Sequence, residues 1–204
     1  MMLINPYRFA SVASAPTFVD ARSASLTRFI ARPSYVQEGD FLVAFVGGFN
    51  PSTVTAPMGW TLQTQTTWQS GQYSSALLYK IATASEPVTY TFTGGTYNYG
   101  WVAAYRGASQ IDVAGTIAEK SGVSMSFTGI ASSAGSKLLA CLHDRDNVSL
   151  TAPSGMTSRV DSASGSSLWR VAIADLDDAN SDNRVWSAGS SSFFACGILV
   201  SIKA

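Results

Sequence analysis

Along this chain apolar residues fall at every second position or in short unbroken runs, and never at helical spacing over a useful length. The stretches "DFLVAFVGG" (40–48), "SSALLYKIA" (74–82), "VTYTFTGG" (88–95) and "YGWVAAYRG" (99–107) are rich in β-branched and aromatic residues, and Gly, Pro, Ser or Asn bounds them. That combination is the signature of strands separated by turns. In "VTYTFT" the alternation sends Val88, Tyr90 and Phe92 to one side and the threonines to the other. Windows that would otherwise suit a helix are interrupted by Val, Thr, Gly or Pro. The pattern predicts an all-β fold, a jelly-roll-like antiparallel β-sandwich with one face of each sheet in the core. Trp60, Trp101, Trp169 and Trp186 lie within strand patterns and are expected in that core.

The pattern also repeats. "VTAPMGWT" (54–61) returns as "LTAPSGMT" (150–157), 96 positions on (150 against 54), and the same offset carries Gly39, Leu42 and Ala44 onto Gly135, Leu138 and Ala140. "GWVAAYR" (100–106) matches the pattern of "GILVSIK" (197–203) at an offset of 97 (197 against 100). A fixed offset of this kind marks a duplicated supersecondary unit. Residues 18–204 therefore read as one sandwich domain built of two related halves, about 18–107 and 108–204, sharing a core. The junction "YRGASQIDVAG" lacks the Pro- or Ser-rich character of a linker. In the repeated TAP-G element, Pro57 and Pro153 fix φ while Gly59 and Gly155 permit positive φ, which suits a turn feeding a strand.

Residues 1–17 precede this pattern. "MMLINPYRFA" lacks a basic start, and Pro6 and Arg8 break the apolar run that a signal peptide needs. It reads instead as an extended anchoring arm. Pro6 disfavours helix at Asn5, Leu3, Ile4, Tyr7 and Phe9 offer apolar anchors, and Arg8 offers a directional charged hydrogen bond.

Composition narrows the partners. Of the 204 residues only 13% are charged, against about 25% in an average soluble domain, and 13 Lys and Arg balance 13 Asp and Glu. No net field draws the chain to nucleic acid or an anionic membrane, and no apolar run approaches the roughly 18 residues of a membrane helix. Neither nucleic-acid binding nor membrane insertion is expected. Cys141 and Cys196 sit in the apolar runs "KLLACLHD" and "FFACGILVS", where a reduced thiol packs as a small hydrophobe; a single disulfide is the alternative.

The succession "EGDFLVAFV", "VTAPMGWTL", "SALLYKIATASEPVTYTFT", "GWVAAYRG", "IDVAG" resembles a β-sandwich module of bacteriophage tail and other virion proteins and of some bacterial surface proteins. The likeness covers nearly all of the chain after about residue 18, and "LINPYRF" is similar to the opening of several phage virion proteins. Met58 departs from the pattern, where a small residue is usual, and Met156 stands where the first half has Trp60. The resemblance implies a structural or adhesive role as a tail fibre, spike or head-decoration protein, located in the virion and assembled in the host bacterial cytoplasm. It implies no catalytic residues. The arm would dock on other virion proteins, and copies would associate as a homo-oligomer, since several linked arms gain avidity.

The residues offer little for other chemistries. His143, the only histidine, stands beside Asp144 and Asp146, a base-like setting, but no G-x-S-x-G elbow accompanies it, and a histidine in such a place reads as a surface polar group. The 13 acids lie mostly beside Gly, Pro, Asn or Ser, a turn context with no pair set across a cleft as glycoside hydrolysis requires. The "ADLDDANSDN" segment (174–183) is rich in oxygen ligands but lacks the EF-hand positions, Ala179 standing two after Asp177. No metal, cofactor or enzymatic activity is expected. Trp68, Tyr73, Tyr97 and Tyr99 lie among Gln, Ser, Asn and Gly, a composition that stacks on sugar rings and hydrogen-bonds hydroxyls. They are the candidate contacts of a second reading, a carbohydrate-binding adhesion module recognising a host glycan; a polysaccharide depolymerase is a third.

Overall fold

The computed structural model describes residues 14–50, 53–146, 148–163, 169–177, 182–189 and 193–204. The first half forms β1 (Thr17–Ser25), β2 (Phe29–Ala31), β3 (Phe41–Phe49), β4 (Thr61–Trp68), β5 (Tyr73–Ile81), β6 (Thr89–Thr91) and β7 (Tyr97–Arg106). The second forms β8 (Gln110–Ala114), β9 (Ala118–Gly122), β10 (Ser124–Phe127), β11 (Lys137–Asp144), β12 (Thr157–Ala163), β13 (Arg170–Asp177), β14 (Arg184–Ser187) and β15 (Phe193–Lys203). The fold is all-β and its ladders are antiparallel. One sheet has the order β1-β7-β3-β5-β4, and the other β12-β13-β11-β15-β8 with β9 also paired to β15. Two short ladders, β2–β6 and β10–β14, stand apart from them.

The second set of pairings follows the first. β3 lies between β5 and β7 as β11 lies between β13 and β15. The β4–β5 ladder shifts register between Leu62 and Thr64, and the β12–β13 ladder between Ser158 and Val160, 96 positions on (158 against 62). The turn bond from Trp60 N–H to Pro57 O recurs from Met156 N–H to Pro153 O. Before β3 the buried Asp40 accepts from Gln37 N–H and binds Arg106. In the second half Ser136 stands at the corresponding place, and the carboxylate comes from β8: Asp112 accepts from Ser133 N–H and binds Lys203. Burial alone would raise the Asp112 pKa; the Lys203 ammonium and the Ser133 and Ser136 donors outweigh it and hold the carboxyl well below its usual range.

The expected single buried face per sheet does not hold for the central strands. β3 is buried at every position before Phe49, and β11 throughout. Phe41, Val43 and Phe45 meet Leu139, Cys141, Ile173 and Ile198 in a cluster between the two large sheets. Leu42, Ala44 and Val46 point the other way, under Ile30, Tyr90 and Phe92 of the β2–β6 side. In the second half Leu138, Ala140 and Leu142 pack under Met125, Phe127 and Trp186 of the β10–β14 side. Each short ladder thus roofs the outer face of a large sheet. That accounts for the unbroken apolar runs, a pattern proper to strands covered on both sides, and each large apolar side chain so buried contributes about 1.5–3 kcal/mol. The halves share the central cluster, and each holds a further one of its own. All four expected core tryptophans are buried. Val88 is instead exposed, one residue before β6 begins, while Tyr90 and Phe92 are buried. Cys141 and Cys196 are both free and buried.

The two sheets run in the same sense. Tyr105, opposite Phe41, donates its hydroxyl to Asp175, which lies opposite Leu139, and His143 stacks on Phe45. The sandwich therefore has two poles. At one, called basal here, lie Thr17 opposite Arg106, Lys137 opposite Asp177, and Lys203. At the other, the apical pole, lie the β4–β5 connection, Asp144 opposite Ala195, and Gly122 opposite Phe193. The nine residues of β3 separate the poles by about 30 Å at the rise of an antiparallel strand.

Candidate functional site: a groove at the seam of the two sheets

The apical pole carries a groove of about 570 Å³, within the range of small-ligand clefts. Its walls come from both halves: Trp68, Gln69, Ser70 and Gln72 on one side, Glu119, Lys120, Ser121, Phe194 and Ala195 on the other. Its first wall is built by a tight connection. Trp68 and Tyr73 close the β4–β5 ladder, Gln72 N–H donates to Gln69 O at 3.1 Å, and Ser70 and Gly71 between them have φ of 53° and 82°. Two central residues at positive φ make a type I′ pattern, which glycine serves well at the second position. Gln69 itself has φ 50°, a left-handed conformation that costs a non-glycine residue about 1–2 kcal/mol.

Contacts from the other half hold Gln69 there. Its N–H donates to Glu119 Oε2 at 2.7 Å, and its Oε1 accepts from Arg145 Nη1 at 2.9 Å. The Arg145 guanidinium also donates to Asp146 Oδ1 and lies 4.6 Å from the Phe194 ring centre. Asp146 Oδ2 in turn accepts from Phe194 N–H. Beneath, the buried Asp144 accepts from Asp146 and Val148 N–H; burial, only partly offset by these donors, pushes its pKa up to about 6.

Behind the groove lies a sealed polar chain. Trp68 Nε1–H donates to Ser75 Oγ at 3.1 Å, Ser75 Oγ lies 2.9 Å from His143 Nδ1, and His143 Nε2 lies 3.1 Å from Phe45 O. A carbonyl only accepts, so Nε2 carries the proton and Nδ1 accepts from Ser75. Ser75 and His143 are both wholly buried, which overturns the reading of His143 as a surface group. Burial pushes the imidazole down to about 3, so it is neutral at ordinary pH. The Ser75–His143 spacing is that of a nucleophile and base, but here the pair links the two sheets inside the core.

The expected glycan contacts are corrected in part. Trp68, Tyr73 and Tyr99 are 3%, 6% and 1% exposed. They form the aromatic floor behind the groove, with Tyr99 stacked on Trp169 at 4.4 Å and Tyr73 edge-on to it at 5.0 Å. Only Trp68 reaches the groove's lining. Tyr97 lies opposite Phe49 in the β3–β7 ladder, and its side chain is outside the described residues, as are the expected docking residues Leu3, Ile4, Asn5, Pro6, Tyr7, Arg8 and Phe9. The sequence reading missed Gln69, Gln72, Glu119, Lys120 and Phe194. Its one available signal was the polar, glycine-containing "QSGQ" between two aromatics.

Among the described residues no group of three or more His, Cys, Asp and Glu could hold a metal ion. In the acidic segment Asp175 is bound by Arg159 and Asp177 by Lys137, and residues 178–181 lie outside the described residues. Among the described residues no helix is long and apolar enough to cross a membrane. No protein-family model, curated protein or solved structure matches this chain.

Proposed function

We propose that the protein is a bacteriophage virion structural protein, a tail-fibre, spike or head-decoration module that docks through residues 1–17 and turns its sandwich outward. The observation that carries this reading is the opposition of the poles. The chain enters β1 at the basal pole, and the seam groove opens about 30 Å away at the other. The basal pole also bears Tyr35, Met58 and Val88, which are 82%, 98% and 77% exposed. Apolar side chains so placed suit a contact with a neighbouring protein. Ala15, Pro16 and Phe18 line a small basal cavity with Lys137, Arg159 and Asp177, with Arg159 over the Phe18 ring at 4.5 Å, so the root of the arm is fixed against both sheets. On this reading the two halves are a duplicated unit.

Removing residues 1–13 tests the proposal, because it leaves every described strand intact. The shortened protein folds with an unchanged Tm and is absent from purified particles, whereas the full chain co-purifies with them. Incorporation of the shortened protein at the full-length level contradicts the proposal.

A further inference from the structure

From the chemistry of its walls we infer that the apical groove is a binding site for a neutral oligosaccharide. The inference goes beyond the docking reading and stands or falls without it. Three features of the groove select this ligand class. First, its lining pairs one carboxylate, Glu119, with one ammonium, Lys120, and the rest is amide, hydroxyl or apolar; such a wall offers no net field to a charged ligand. Second, Gln72, Ser70 and Ser121 present groups that both donate and accept, Glu119 accepts and Lys120 donates. Sugar hydroxyls, each donor and acceptor at once, match that mixture, whereas a phosphate calls for donors alone and a peptide backbone for donors and acceptors in fixed alternation. Third, Phe194 is 38% exposed at the groove and supplies an apolar surface for the C–H face of a pyranose.

The construction of the groove supports a binding role over an incidental crevice. Gln69 is kept in a left-handed conformation by Glu119 and Arg145, residues of the other half. Backbone strain that is overdetermined by its surroundings is a feature of ligand sites, and here it fixes the Gln69–Gln72 wall relative to the Glu119–Ser121 wall. The Arg145 guanidinium orients Phe194 while its charge is met by Asp146. Gln69, Glu119 and the Phe194 ring are therefore held in place before a ligand arrives, which lowers the entropy cost of binding.

The test uses the full chain and a panel of tetrasaccharides from cellulose, starch, mannan, galactan and chitin, with oligogalacturonate as the acidic control, read by ¹H–¹⁵N NMR and calorimetry. At least one neutral member is expected to shift the Gln69 and Gln72 side-chain amide signals and to bind at millimolar or lower Kd. Gln72→Ala and Lys120→Ala each weaken that binding about tenfold with Tm unchanged, and Tyr35→Ala, at the basal pole, leaves it unaltered. The inference is overturned if no neutral tetrasaccharide binds at 10 mM, roughly the weakest binding of interest, if only the acidic control binds, or if the two groove variants bind as the parent does.

Discussion

Lowering the pH should reveal the sealed Trp68–Ser75–His143 chain through its cost. His143 is wholly buried and neutral, with its folded pKa pushed down to about 3 from an ordinary 6.5. Below pH 6.5 the unfolded chain takes up a proton that the folded chain refuses, so the stability held above 6.5 is lost as pH falls towards 3. At 1.36 kcal/mol per unit, going from pH 7 to 4.5 removes about 2.5 kcal/mol. Asp144, next in sequence, works the other way. Its folded pKa is raised to about 6, so stability present below the unfolded value near 3.8 is lost as pH rises through 6, and acidification over the same interval restores about 2 kcal/mol. The parent curve should therefore be nearly flat with respect to these two groups, which is why a variant is needed. Tyr99 and Cys196, the other titratable groups facing the imidazole, are held neutral by burial, Cys196 at about 12. In His143→Gln the amide can donate to Phe45 O and accept from Ser75 but does not titrate. Urea unfolding at pH 7, 6, 5 and 4.5 should find the variant less stable by about 1–3 kcal/mol at pH 7. The gap between parent and variant should then shrink by about 2.5 kcal/mol at pH 4.5. A gap independent of pH would refute a buried, neutral His143.

Two other perturbations probe the packing. A Cβ at Gly47 would stand 2.6 Å from Tyr99 Cε2 and closer still to the Ser74 carbonyl oxygen, and one at Gly197 would meet the Cys141 carbonyl oxygen and Phe127. Either substitution to alanine should cost about 3 kcal/mol or prevent folding, measured by thermal unfolding, whereas Gly71→Ala meets no atom within 4 Å and costs only the strain of its positive φ. Asp112→Ala strips Lys203, Ser133 and Ser136 of their shared acceptor and should cost about 2 kcal/mol. Because the carboxyl is held below its usual range, its contribution is present above pH 4 and fades as pH falls further, so the gap from the parent narrows only in strong acid.

Much of the architecture was legible because strand periodicity and turn punctuation are local signals. The runs at 40–48 and 99–107 became β3 and β7. The roofs were not legible. β2 and β6 have three residues each, and β10 and β14 four, too short to show periodicity, so the double burial of β3 and β11 went unforeseen. The aromatics misled for a related reason. Thr61, Gln63 and Thr67 of β4 are exposed while Trp68 beside them is buried, and a polar local composition says nothing of the ring next to it. Gly47 carried the missing hint: a glycine inside a strand marks a close approach, and it is the Tyr99 ring that comes close. The groove itself is non-local. Residues 69 and 119 meet only because two sheets pack, and no spacing along the chain announces that.

On the proposed reading the sandwich stands on its basal pole and shows its apical pole to the outside. Electron cryomicroscopy of the intact particle, at a resolution that places the sandwich, tests it most directly. Sandwich density is expected on the virion surface with Thr17 and Lys203 towards the particle and the Gln69–Gln72 connection and Phe194 outermost. Particles without this density, or with the groove buried against the shell, would contradict it.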